Sequence, residues 1–115
     1  EYWGYAPNEN MTNEDMIKEK FRGIRPAPGY PACPDHTEKE SLFRILAARQ
    51  NASIELTDSM AMLPTSSVSG YYLAHPESQF FGIGKISKDQ VEDYAKRKDM
   101  ELRLAERWLR PNLSY

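Results

Sequence analysis

The sequence has little of several features that identify particular classes of protein. It contains 1 cysteine, Cys33, so an internal disulfide and a multi-thiolate zinc site are both excluded. Its 15 Lys and Arg against 17 Asp and Glu leave no basic surplus, which argues against nucleic acid as the main partner. No apolar run approaches the roughly 18 residues of a membrane span, and no basic segment precedes an apolar one as in a leader. We therefore expect a cytoplasmic protein with neither nucleic-acid nor membrane partners.

The length indicates one domain that spans residues 1–115. A chain of this size can bury a single core without disulfides or metals. It begins at Glu1 rather than at methionine, so we also expect it to be a piece of a longer chain.

Local signals predict an α+β fold. Thr12 is an N-cap candidate, and Thr37 with Glu40, like Ser87 with Gln90, has the spacing of a capping box. The predicted elements are helix 13–21, helix 37–50, strand 53–57, a hairpin of strands 67–74 and 79–86, helix 87–98 and helix 102–109. This order is typical of an antiparallel sheet with helices packed on it.

The segment GIRPAPGYPACPDHTEK, residues 23–39, contains four prolines and few aliphatic residues. Pro26 restricts Arg25 to extended geometry, so the guanidinium is presented from a backbone that loses little freedom on binding. The planar guanidinium can donate two parallel hydrogen bonds, which suits the binding of a carboxylate or a phosphate. Gly29 permits close approach, and Tyr30 adds a flat ring with a polar tip. The alternative is an exposed arginine in a stiff linker.

Two other chemistries can be drawn on this loop. Cys33 and His36 are close enough to suggest a nucleophile and a base, but no oxyanion-hole motif surrounds them. Asp35, His36 and Glu38 lack the spacing of a common metal site. We therefore assign neither a catalytic nor a metal-binding residue.

The predicted hairpin carries the adjacent rings of Phe80 and Phe81. Neighbouring side chains on a strand point to opposite faces, so we expect one ring in the core and the other free to cover a ligand. Ordinary sheet packing is the alternative. Glu19 precedes the loop, where a surface position is the simpler interpretation.

Together, WGYAPNEN, GIRPAPGYPACPDHTEK, SVSGYY, HPES, DQVEDYAKRK and ERWLRPNL resemble the C-terminal activation domain of cobalamin-dependent methionine synthase, over essentially the whole chain. The resemblance implies a C-shaped domain with a curved antiparallel sheet and a shallow groove for S-adenosylmethionine. It also implies a role within a methyltransferase. Oxidised cobalamin, held by another module of the parent chain, is remethylated from S-adenosylmethionine with an electron from flavodoxin or a comparable reductase.

The resemblance also assigns ligand contacts to individual residues. They are Glu19, Arg25, Ala27, Gly29, Tyr30, Phe80 and Phe81. Arg25, Gly29 and Tyr30 match the family's S-adenosylmethionine signature, in which the arginine binds the carboxylate of the methionine part. Relatives commonly have tyrosines in place of Phe80 and Phe81. Phenylalanine lacks the phenolic hydroxyl, so these two rings can only stack on the ligand or shield it from water.

The family domain begins before Glu1, and an acidic residue in that preceding part helps to hold the ammonium group of the ligand. We therefore expect weakened binding and no overall activity from these residues alone. A docking module, with Arg25 and Tyr30 as anchors for a redox or protein partner, is the alternative.

Overall fold

The computed structural model describes residues 8–115, so the first part of the WGYAPNEN stretch, residues 3–7, lies outside the described residues. The elements, in chain order, are α1 (Asn13–Ile17), α2 (Glu38–Ile45), α3 (Ala48–Ala52), β1 (Glu55–Leu56), β2 (Met62–Leu63), α4 (Lys88–Arg97), α5 (Leu102–Leu109) and a 3-10 turn, Arg110–Asn112. The fold is a mixture of helices and one small antiparallel sheet.

Helix α1 begins where the sequence predicts and ends earlier. The Thr12 hydroxyl accepts from the backbone N–H of Asp15 at 3.2 Å, and the Asp15 carboxylate accepts from the Thr12 N–H at 3.1 Å. The predicted continuation to residue 21 is wrong, because Glu19 adopts a φ of 53° and ends the helical path. A left-handed residue cannot continue a right-handed helix.

The single helix predicted over residues 37–50 is two helices. Ala47 has a φ of 46°, which separates α2 from α3. The predicted capping box at Thr37 is also wrong: its hydroxyl donates to Asp35 Oδ1 at 2.8 Å instead of capping α2. The hydroxyl binds the buried Asp35 carboxylate instead, and the burial of Asp35 depends on the folded chain.

The predicted hairpin of residues 67–74 and 79–86 is wrong. In the described part of the chain the only sheet pairs β1 with β2, with Glu55 opposite Leu63, so the predicted strand 53–57 is confirmed at its centre. The two hairpin segments bond elsewhere: Leu73 exchanges backbone hydrogen bonds with Ile24 at 3.0 and 3.1 Å, and Ile86 bonds to the C-terminal residues. The mixture of helices and antiparallel strands agrees with the predicted α+β class, and the sheet in the described residues has two short strands.

The core lies between α4 and α5. Val91 and Ala105 are fully buried, and Ala95 and Leu109 complete the cluster. The two alanines let the helices approach closely, and each buried Val or Leu side chain stabilises the fold by about 1.5–3 kcal/mol. Both helices follow the prediction: the Gln90 side chain caps the start of α4, and α5 ends just before the residue that precedes Pro111.

Within residues 8–115, no helix is long and apolar enough to cross a membrane.

Candidate functional site

A groove of about 830 Å³ opens between the proline-rich loop and the irregular segment 67–82. This volume is in the range of small-molecule sites. We call it the loop groove. Its lining residues are Arg25, Pro26, Ala27, Pro28, Gly29, Tyr30, Pro31, Ala32, His36, Lys39, Met62, Ser67, Val68, Ser69, Phe80, Phe81 and Gly82.

One wall of the groove is the extended backbone of residues 24–26, which hydrogen-bonds to the neighbouring segment 71–73. Ile24 is buried and bonds to Leu73, and the N–H of Tyr71 donates to the Pro26 carbonyl at 2.9 Å. A Cβ at Gly70 would lie 2.8 Å from the Pro26 oxygen, so the two backbones approach more closely than a side chain would allow. The loop is thereby fixed along the groove without a regular strand.

A tight turn at Gly29 shapes the rim. The N–H of Gly29 donates to the Cys33 carbonyl at 2.7 Å, and the N–H of Cys33 donates to the Tyr30 carbonyl at 2.9 Å. Gly29 has a φ of +97°, and a Cβ there would lie 2.2 Å from the imidazole of His36. Glycine is therefore required twice, by backbone geometry and by the ring beneath it.

Replacing Gly29 by alanine is expected to destabilise the fold by about 1–3 kcal/mol, because it adds strain at positive φ and a clash with His36. Urea unfolding measures the change. The matched control is Gly82→Ala, since a Cβ at Gly82 on the same groove meets nothing within 4 Å. Equal stability of the two variants would contradict the packing described here.

The guanidinium of Arg25 lies among three partners. Its central carbon is 4.3 Å from the ring centroid of Phe21 and 4.2 Å from that of Tyr72, and its Nη2 donates to Glu9 at 3.2 Å. The Arg25 side chain is 22% exposed. The guanidinium of Arg25 is therefore held at the groove, by residues that the sequence did not indicate.

A polar cluster ties the far end of the loop to α4. The carboxylate of buried Asp35 accepts from Thr37, from the Tyr94 hydroxyl at 2.5 Å and from Lys98 Nζ at 3.1 Å. Lys98 also donates to Glu38 at 2.7 Å. Burial alone would raise the pKa of Asp35, but the hydrogen bonds outweigh it and the pKa is lowered.

The floor of the groove is basic and desolvated. Buried Lys39 donates to the Met60 carbonyl at 2.8 Å and lies 3.1 Å from His36 Nδ1. Burial lowers the pKa of Lys39, and burial together with the Lys39 charge lowers the pKa of His36. The His36 ring also contacts Trp108, with centroids 5.9 Å apart. This floor supports the turn at Gly29 from below.

Cys33 and His36 do not share a site. Cys33 lines a separate cavity of about 670 Å³ beside α4, whereas His36 lines the loop groove. Burial raises the pKa of Cys33, which disfavours the reactive thiolate. Among the described residues, no group of three or more His, Cys, Asp or Glu is arranged to hold a metal.

The structure gathers most of the predicted ligand contacts at one place. Those lining the loop groove are Arg25, Ala27, Gly29, Tyr30, Phe80 and Phe81. Glu19 lies outside this lining, and its contact with the ligand stays a prediction. The expectation that one of the two phenylalanines enters the core is wrong, since they are 49% and 57% exposed and both line the groove.

Sequence reasoning missed Glu9, Phe21, Tyr72 and Lys39. Tyr72 lies far along the chain from Arg25, so no local pattern connects them. Lys39 follows a predicted N-cap and has the appearance of a surface helix residue, yet it is 7% exposed.

An open groove with mainly apolar walls, lined also by the guanidinium of Arg25, is typical of a small-ligand-binding domain, here one of mixed α and β structure. Residues 1–99 match the family described as vitamin B12 dependent methionine synthase, activation domain. The chain belongs to this family.

A solved structure, a crystal structure of the MetH reactivation domain bound to AdoHcy, is similar over 99% of this chain, with 55% sequence identity and a TM-score of 0.90. The chain spans 35% of the length of that protein chain.

Proposed function

We propose that the loop groove binds S-adenosylmethionine and presents its methyl group to a cobalamin held by another module of a methionine synthase. The observation that carries the proposal is that six of the seven predicted contacts surround one groove. Its support from outside the chain is the similar reactivation domain, whose structure contains AdoHcy, the demethylated product of that ligand.

The residues present fit such a ligand. S-adenosylmethionine combines a carboxylate with the flat adenine ring of its adenosine, and the groove combines the Arg25 guanidinium with the exposed rings of Tyr30, Phe80 and Phe81. Arg25 would bind the carboxylate, since guanidinium and carboxylate geometries match. The rings would cover the adenosine by stacking, and the backbones of Ala27 and Gly29 would line the remaining wall.

The contribution of this chain to catalysis is positioning. Cobalamin supplies the methyl acceptor when it is bound in its own module. Methyl transfer from a sulfonium requires alignment of the two reacting groups, and alignment alone can supply about 7–11 kcal/mol of a barrier. Proton transfer is not required, which agrees with a groove whose His36 and Lys39 are engaged with each other. Glu19 would lie near the transferred methyl group.

The remaining parts of the proposal concern the parent enzyme. The methyltransferase activity would belong to the complete methionine synthase, and the residues of this chain alone would be inactive. The complete enzyme would be cytoplasmic. Flavodoxin or a comparable reductase would supply the electron. The backbone pairing of Ile24 with Leu73 would be part of the curved sheet of the C-shaped domain.

One observation favours the alternative of a protein-docking module. Tyr30, Val68 and Phe81 at the rim are 66%, 88% and 57% exposed, and exposed aromatic and aliphatic side chains around a groove are common at protein interfaces. Under this alternative the loop groove would bind a redox or protein partner and no nucleoside.

Calorimetric titration of S-adenosylmethionine and S-adenosylhomocysteine into the chain tests the proposal, with adenosine as the matched ligand that lacks the amino acid. We expect saturable binding of the first two ligands and weaker binding of adenosine. The same titrations on the complete natural chain that contains these residues provide the comparison. No saturable heat in either protein would contradict the proposal and favour the docking alternative.

A further inference from the structure

We infer that Glu9 is a positioning residue for Arg25, which it holds ready for the carboxylate of the ligand. This inference rests on the proposed function. Among the residues described, Arg25 is the only Lys or Arg of the loop groove besides the buried Lys39, so the orientation of its side chain decides whether a carboxylate can be bound there. Nothing local fixes an arginine side chain, which has many rotamers.

Both oxygens of Glu9 are engaged. Oε1 accepts from the backbone N–H of Arg22 at 2.7 Å, and Oε2 accepts from Arg25 Nη2 at 3.2 Å. The side chains of Glu9 and Arg25 are 24% and 22% exposed, so the pair is largely withdrawn from water. A carboxylate anchored at one oxygen by the main chain can hold a guanidinium at the other.

The rings of Phe21 and Tyr72 complete the restraint. The guanidinium lies over both, at 4.3 and 4.2 Å, well within the distance of a cation–π contact. Within residues 8–115 the Arg25 guanidinium donates to Glu9 alone, so the others of its five N–H groups are available to a ligand. A carboxylate would therefore meet an ordered fork, and the entropy of ordering it would not be lost on binding.

Glu9 could instead compete with the ligand for Arg25. The geometry argues against competition, because Glu9 is held by the Arg22 N–H and does not line the groove, whereas Arg25 does. Removing the Glu9 charge should therefore disorder the Arg25 side chain, and this loss should outweigh any gain from removing a competitor for its guanidinium. The predicted direction is weaker binding.

The test compares Glu9→Gln with wild type for two ligands, S-adenosylhomocysteine and 5′-methylthioadenosine, which lacks the amino-acid carboxylate. We expect Glu9→Gln to weaken S-adenosylhomocysteine binding about threefold to tenfold, the effect of ordering one long side chain, and to leave methylthioadenosine unchanged. The matched control is Glu14→Gln, since Glu14 is 74% exposed on α1 and pairs with Lys18.

Tyr72 provides a second pair of variants. Tyr72→Leu removes one ring and should weaken S-adenosylhomocysteine binding, while Tyr72→Phe keeps the ring and should retain wild-type affinity. A role confined to general stability would lower the affinity for both ligands together. Thermal unfolding of each variant confirms that the fold is retained.

The outcomes separate the inference from the proposed function. If wild type binds neither ligand, the proposed function fails and the inference falls with it. If wild type binds S-adenosylhomocysteine and Glu9→Gln binds it equally well or more tightly, or loses both ligands equally, the function stands and the inference is overturned. Selective loss of the carboxylate-bearing ligand in Glu9→Gln and Tyr72→Leu supports it.

Discussion

Replacing Arg25 by alanine is expected to lower the affinity of the chain for S-adenosylmethionine at least about thirtyfold, because truncating one partner of a desolvated charge pair costs about 2–5 kcal/mol. The variant would leave the ligand carboxylate in a groove whose only described Lys or Arg is the buried Lys39. Titration calorimetry measures the change. Binding of methylthioadenosine should survive, since it has no carboxylate.

Two further variants sharpen this result. Arg25→Lys should not restore binding, since a point-charge ammonium lacks the planar fork that lies over Phe21 and Tyr72 and binds a carboxylate bidentately. Arg49→Ala is the matched control, because Arg49 is 79% exposed and pairs with Glu55. Unchanged affinity in Arg25→Ala would contradict the assignment of the carboxylate site and leave the docking alternative in place.

Replacing Asp35 by asparagine is expected to destabilise the fold by about 1.5–3 kcal/mol, the range for hydrogen bonds to charged groups. Each carboxylate oxygen accepts from donors: Oδ1 from Thr37, and Oδ2 from Tyr94 and Lys98. In asparagine, an NH2 group would replace one of the two oxygens and would face hydrogen-bond donors, so the bonds on that side would be lost. Urea unfolding at neutral pH measures the loss.

The same cluster predicts the behaviour of the fold in acid. The folded-state pKa of Asp35 is lowered, so its ionised form stabilises the fold fully above the unfolded value of about 3.9. This contribution is lost as the pH falls through the lower folded-state pKa. The difference in stability between wild type and Asp35→Asn should therefore shrink below about pH 4.

The control for this series is Asp93→Asn. Asp93 and Arg97 form an exposed pair on α4, each 65% exposed, and such pairs contribute about 0–1 kcal/mol. A loss in Asp35→Asn no greater than in Asp93→Asn would show that the cluster does not anchor the loop.

Elements with local signals were predicted well. Helix α5 has the predicted bounds, and α4 begins at the predicted capping residues, because caps and prolines act within a few residues. The breaks at Glu19 and Ala47 were missed, since a left-handed backbone is rare at residues other than glycine and no local signal marks it at these two positions. The hairpin was predicted from alternation, but alternation does not determine which segment each backbone bonds to.

The sequence by itself determined the proline-rich loop and the family, because rigid residues and motifs of fixed spacing are local properties. The resemblance to the family then predicted the arginine, glycine and aromatic residues that line the groove. Only the tertiary structure decided that Gly29 faces His36, that Asp35 is held by Tyr94 and Lys98, and that Arg25 is held by Glu9. These contacts join residues that are not neighbours in the chain. Their partners are selected by packing and by the burial of charge, which no local pattern encodes.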